Sequence, residues 1–180
     1  MRIGLLDLKA FSLSRLLVQK REQEKAGSLF LLSELLNTNN FELGYHITNK
    51  PFLKGRSEHI SISHSHNKLA ISINEKQPTG IDIELVRDKV LKIKHKFLSE
   101  TELSFAGDNI DKLITFWAAK EAMYKVYGLK ELDFKLNLLI EKLDGSTIFG
   151  RIDAGDFKKK YQLVCEDLEE YKLVYVLNEF

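Results

Sequence analysis

Two short acidic segments hold the residue types best suited to chemistry in this chain. In Gly80-Ile81-Asp82-Ile83-Glu84, the aliphatic residues Ile81, Ile83 and Leu85 alternate with Asp82 and Glu84. A strand there would bury the aliphatics on one face and direct both carboxylates from the other. About forty residues on, Trp117-Ala118-Ala119-Lys120-Glu121-Ala122-Met123-Tyr124-Lys125 reads as helix, with Trp117, Glu121 and Lys125 on one stripe at a spacing of four. Three carboxylates flanked by lysines suit a hard divalent cation working on phosphate, because Mg2+ takes oxygen ligands and is usually held by a few carboxylates together with substrate phosphates. Taken singly, each segment has a plainer reading. Acidic–aliphatic alternation fits any half-exposed strand, and a Glu four residues before a Lys is an ordinary surface pair contributing about 0.3–0.5 kcal/mol.

The ordered combination is more specific than its parts. In this order and at this separation, the two segments resemble the signature of the 4'-phosphopantetheinyl transferases, a G-I-D element followed by W-x-x-K-E-x-x-x-K. Upstream, Asn49-Lys50-Pro51-Phe52 and Ile60-Ser61-Ile62-Ser63-His64-Ser65 are similar to the K-P and S-H-S elements of the longer, monomeric members that activate peptide synthetases. Between the signature halves, Lys96-Phe97-Leu98-Ser99-Glu100-Thr101-Glu102 resembles the family's F-x-S-x-x-E stretch. Two positions depart from the pattern: Ala118 stands where serine or cysteine is common, and the N-terminal arginine that anchors the 3'-phosphate has only Arg21 and Lys25 as counterparts.

The resemblance implies transfer of 4'-phosphopantetheine from coenzyme A to a serine of an apo acyl carrier protein or peptidyl carrier domain, releasing 3',5'-adenosine diphosphate. It implies Asp82, Glu84 and Glu121 as ligands of Mg2+, or of Mn2+ in its place, and Glu121 as the base for the serine. Asp82, Glu121 and Lys125 form the implied catalytic group, with Lys125 and Lys120 on phosphate. Ser63 and His64 match residues that hold the coenzyme A phosphates, and Lys50 matches a basic residue near the nucleotide 3'-phosphate. The implied fold is α+β, two pseudo-two-fold-related halves of mainly antiparallel sheet packed with helices. The halves are 1–78, shortened, and 79–180, carrying the metal and catalytic motifs. A chain holding both halves is expected to be a monomer. Two other readings stand beside this one, a non-catalytic module that binds coenzyme A or a carrier protein, and an unrelated metal-dependent phosphohydrolase.

Composition sets the frame. A chain of 180 residues, 44% hydrophobic, has enough material for a sizeable core. Its formal net charge of +1 gives no global field for nucleic acid or another bulk polyanion. The single cysteine, Cys165, excludes an intrachain disulfide and a cysteine-cluster metal site. The N-terminal Met1-Arg2-Ile3-Gly4-Leu5-Leu6 is too short for a signal sequence and no apolar run reaches membrane-spanning length, which makes the cytoplasm the expected location. The segment 87–96 interleaves basic residues with aliphatics, as a docking surface for an acidic carrier or a solvated edge kept soluble by lysines would.

The elements that must position these residues follow from period and punctuation. A strand is expected over 2–6, and helical patterning over 13–37 with Leu16, Leu17, Leu29, Leu32 and Leu36 as core. Alternation over 59–63 and 69–73 around a polar connection predicts a hairpin, and Pro78-Thr79-Gly80 a turn into the Asp82 strand. Ser99 with Glu102 makes a capping box for a short helix ending near Gly107, and Asp108 is a candidate cap for the next helix, 110–127, stopped by Gly128. Strands are expected over 147–152, 161–165 and 172–177, with 166–170 as a charged loop.

Overall fold

The computed structural model describes residues 1–15, 19–129 and 131–180. Strand β1 (Arg2–Asp7) leads into helices α1 (Leu8–Arg15) and α2 (Lys20–Leu36), then the short strands β2 (Leu43–Tyr45) and β3 (Pro51–Leu53) and the hairpin β4 (His59–Ser65) and β5 (Lys68–Asn74). After β6 (Ile81–Leu85) come a 3-10 turn (Asp88–Lys92) and helices α3 (Lys94–Phe97), α4 (Glu100–Ala106) and α5 (Ile110–Tyr127). Strands β7 (Leu138–Asp144), β8 (Thr147–Ala154), β9 (Phe157–Leu168) and β10 (Tyr171–Glu179) complete the chain.

Two antiparallel sheets result, ordered β1-β5-β4 and β6-β10-β9-β8-β7, with β2-β3 as a separate ribbon. Helix α2 covers the first sheet, burying Leu32 and Leu36 among Leu8, Leu53, Leu69 and Ile71. Helix α5 covers the second, burying Ala118, Ala122 and Met123 against Leu138, Ile148, Leu163 and Val174. Ala70, Ile81, Ile83 and Leu173 pack together where the sheets meet. The α+β class with antiparallel sheets against helices is the expected one.

Several boundaries differ from expectation for local reasons. The first helix starts at Leu8 because Asp7 caps it, its Oδ1 accepting the Ala10 amide at 2.9 Å, a bond that also holds the Asp7 carboxyl below its usual value. Leu29 is 39% exposed and does not belong to the core; Leu16 and Leu17 lie outside the described residues. The capping box forms as read, with Gly107 ending α4, but Asn109 rather than Asp108 caps α5, accepting from the Lys112 amide. The charged stretch 166–170 is mostly strand: β9 runs to Leu168, and Glu166 and Asp167 are met across the ladder by Tyr175 and Lys172. Strand β7 was not expected, since Leu138-Leu139-Ile140-Glu141 has no clean alternation; its pairing with β8 decides it.

Candidate active site

Strand β6 and helix α5 bring the signature residues together. Gly80 makes the approach possible, because a Cβ there would lie 2.0 Å from the Ala122 carbonyl oxygen. Asp82 is 3% exposed despite its charge. Its Oδ1 accepts from Ser63 Oγ at 2.6 Å and from Lys125 Nζ at 2.7 Å, while Lys125 also donates to the Ile81 carbonyl at 2.9 Å. The other oxygen, Asp82 Oδ2, is buried without a hydrogen-bond partner. Glu84 is held at both ends: Oε1 accepts from Trp117 Nε1 at 2.9 Å and Oε2 from Ser65 Oγ at 3.1 Å. Burial and the neighbouring Asp82 push the Glu84 carboxyl above its usual range.

Glu121 lies on the α5 stripe facing this pair. Desolvation, then repulsion from Asp82 and Glu84 against attraction to Lys125, raises its carboxyl to about 7. Buried carboxylates this close repel one another, and one lysine does not balance three of them. The orphaned Asp82 Oδ2 is an acceptor that a cation would satisfy. The donor set therefore fits a hard divalent ion, although among the described residues no three His, Cys, Asp or Glu side chains are gathered closely enough to form a finished metal cage.

Two cavities with shared walls lie on this side of the protein, one of them bordered by Glu121. The smaller, about 420 Å3, is bordered by Lys50, Glu121, Tyr124 and Lys125. The larger, about 630 Å3, is bordered by Arg21, Lys25, Tyr45 and His64. Both share Asn49, Pro51 and Ile62 as walls, and the larger is lined by charges of both signs, with Glu24 and Glu42 beside Arg21 and Lys25.

Lys120 and Ser63 have their hydrogens committed within the protein, whereas Lys50 and His64 border the cavities. Lys120 is fully buried, its ammonium donating to the Phe97 carbonyl at 2.7 Å, Glu102 Oε2 at 2.7 Å and the Phe134 carbonyl at 2.9 Å. With all three hydrogens engaged it has none for phosphate; it sits one position off the Glu121 stripe, so the helix turns it toward α4 instead. Ser63 is also buried and gives its only hydroxyl hydrogen to Asp82, so its side chain serves the carboxylate and not a ligand phosphate. Lys50 donates to the Val126 carbonyl at 2.9 Å, a cation on the C-terminal turn of α5, and burial pushes its ammonium below the usual lysine value. Gly128, at φ +67°, ends the helix beneath that lysine. His64 borders the larger cavity, half-exposed, with Nδ1 3.3 Å from Glu24 Oε1.

Sequence reasoning missed Trp117 as the Glu84 donor and gave Ser61 and Ser65 no role beyond their place in the S-H-S stretch. The strict serine–isoleucine alternation from Ile60 to Ser63 was the available signal, since it puts serines on one face of a strand with a buried apolar opposite face. A family model for the 4'-phosphopantetheinyl transferase superfamily matches residues 78–176, which is β6 through most of β10 and includes every signature residue. No curated protein matches the chain. Among the described residues, no helix is long and apolar enough to cross a membrane.

Proposed function

The chain belongs to the 4'-phosphopantetheinyl transferase superfamily, and on that premise we propose that it transfers 4'-phosphopantetheine from coenzyme A to a serine of an apo acyl carrier protein or peptidyl carrier domain. The observation that carries this reading is the carboxylate group with its orphaned Asp82 oxygen, beside a cavity of about 420 Å3 bordered by Glu121, Lys125 and Lys50. Asp82, Glu84 and Glu121 would hold Mg2+ or Mn2+. Such an ion, when bound, offsets negative charge on the pyrophosphate oxygens.

The chain's own residues supply the rest. The carrier serine oxygen forms a bond to the β-phosphorus, the bond from that phosphorus to the bridging oxygen breaks, and 3',5'-adenosine diphosphate leaves with the electron pair. The serine proton passes to Glu121, a carboxylate that has no hydrogen bond among the described residues and borders the smaller cavity. Lys125 has two hydrogens engaged by Asp82 and Ile81, and its side chain is 25% exposed, which leaves the third for a phosphate oxygen. Lys50 borders the same smaller cavity and has hydrogens beyond the one on Val126, so we place it beside the pyrophosphate. Arg21, Lys25 and His64, which border the larger cavity, would receive the 3'-phosphate. The proposal includes a monomer of two halves, 1–78 and 79–180, working in the cytoplasm.

Intact mass of an apo acyl carrier protein, followed with coenzyme A and Mg2+, tests the reading. The expected result is a gain of one phosphopantetheinyl group on the serine, abolished by chelator and by Glu121→Ala. A second reading, a non-catalytic module that binds coenzyme A or a carrier protein, draws on the absence of a finished three-ligand cage among the described residues. Coenzyme A binding without mass gain on acyl or peptidyl carriers would favour it.

A further inference from the structure

Strand β6 has a backbone partner, β10, on one edge only. An antiparallel strand alternates its amides between its two edges, so Ile81, Ile83 and Leu85 direct theirs toward β4. Three serine hydroxyls meet them: Ser61 Oγ accepts from Ile81 at 3.2 Å, Ser63 Oγ from Ile83 at 3.3 Å and Ser65 Oγ from Leu85 at 3.3 Å. The match repeats because same-face positions on both strands recur every two residues, roughly 6.6 Å. A hydroxyl that accepts an amide still has a hydrogen to give. Ser63 gives its hydrogen to Asp82 and Ser65 to Glu84, whereas no hydrogen bond joins Ser61 to a carboxylate among the described residues.

We propose that this serine ladder is the positioning device of the site: Ser63 and Ser65 fix the directions of Asp82 and Glu84 against the opposing clamps Lys125 and Trp117, leaving Asp82 Oδ2 aimed at a divalent cation. The inference rests on the metal reading above. Because the Ser63 and Ser65 hydroxyls each bind a β6 amide and the adjacent carboxylate at once, the register of β6 on β4 and the aim of the carboxylates are set together. A slip of one residue would turn Asp82 and Glu84 to the other face. Ser63 and Ser65 are positioning residues, acting through the carboxylates.

Ser61 provides the internal control, since Ser61→Ala and Ser65→Ala each remove one acceptor from the same edge but only the second frees a carboxylate. Mn2+ binding to the purified protein, measured by electron paramagnetic resonance without substrates, should weaken about ten-fold or more in Ser65→Ala, the range found when partners of metal ligands are removed. Ser61→Ala should stay within about two-fold of wild type and Ser65→Thr, which keeps the hydroxyl, within about three-fold. Trp117 is the only tryptophan, so its emission reports on Glu84 directly and should shift in Ser65→Ala but not in Ser61→Ala. Equal weakening in Ser61→Ala and Ser65→Ala, with wild type binding Mn2+, would reduce the ladder to a structural contact and overturn the inference alone. Failure of wild type to bind Mn2+ would overturn the metal reading with it.

Discussion

Replacing Lys120 separates a structural lysine from a phosphate-binding one. Its ammonium joins the end of α3 at Phe97, the capping-box carboxylate Glu102 on α4 and the loop carbonyl of Phe134 beyond α5. Glu102 is itself 3% exposed and also accepts from the Ser99 amide and hydroxyl and from the Ile140 amide. Removing one partner of a buried ion pair costs about 3–5 kcal/mol. The other donors to Glu102 favour the lower end, while two carbonyls left without Lys120 add about 0.5 kcal/mol each. Lys120→Met, which keeps the stem volume, should therefore destabilise by about 4 kcal/mol. At about 2–4 °C per kcal/mol for a chain of this size, the melting temperature should fall by roughly 8–16 °C. Coenzyme A affinity, measured at a temperature where the variant is still folded, should change less than about three-fold. In a cycle with Glu102→Gln, the double variant should lose less than the sum of the singles. A Lys120→Met protein that melts with wild type but no longer binds coenzyme A would refute the structural assignment and restore the phosphate contact that the sequence suggested.

Glu121→Gln should abolish transfer yet stabilise the metal-free protein. Its native carboxyl sits at about 7 against an ordinary value of 4.5, so between those values the folded state holds the extra proton. Stability from this group is present at low pH and declines as pH rises through the window, by up to about 3 kcal/mol. Urea unfolding in chelator should show the gain at pH 8 and little at pH 4.5; an equal effect at both would remove the buried-carboxylate account. Gly80→Ala places a Cβ against the Ala122 carbonyl oxygen, where no flexible side chain can yield. It should cost about 3 kcal/mol or more, against about 1 kcal/mol for Gly145→Ala, whose φ of +58° is strained but whose surroundings are open; similar losses would show that β6 and α5 separate easily. Lys92 and Lys96 are exposed, whereas Lys94 is tied to Gly107 and Asp108. Lys92→Glu with Lys96→Glu should raise KM for an acidic carrier several-fold at low salt and leave KM for coenzyme A unchanged. Unchanged carrier kinetics would make 87–96 a solvated edge.

The parts of this structure legible in the sequence are those fixed by local rules. The boundaries of α5 follow from its period and from Gly128, and the start of α4 from a capping box whose two halves lie three residues apart. Asp82 and Glu84 were legible as a carboxylate pair because alternation alone places them on one face. What could not be read is which charged face packs against what. Lys120 looked like its neighbours on an acidic helix surface, and only the position of Glu102 in space, delivered by α4, makes it interior. Glu166 and Asp167 looked like loop because cross-strand partners on β10 are invisible in a linear sequence.

Ser63 shows why motif and geometry diverge most at the site. Backbone pairing between β4 and β6 would satisfy the amides of Ile81, Ile83 and Leu85, but a carbonyl has no hydrogen to pass on, and Asp82 and Glu84 would have to find donors elsewhere. A hydroxyl accepts and donates through one atom. Serine also adds little bulk, which lets the edge of β6 lie against β4 while β10 holds its other edge. Two sheets are thereby joined at the strand that carries the carboxylates, and the joint gives those carboxylates their direction. Asp82 Oδ2 is left over because Ser63 and Lys125 both take Oδ1. Its lack of a partner is a consequence of that geometry, and a bound cation is what would make such an arrangement worth its desolvation cost.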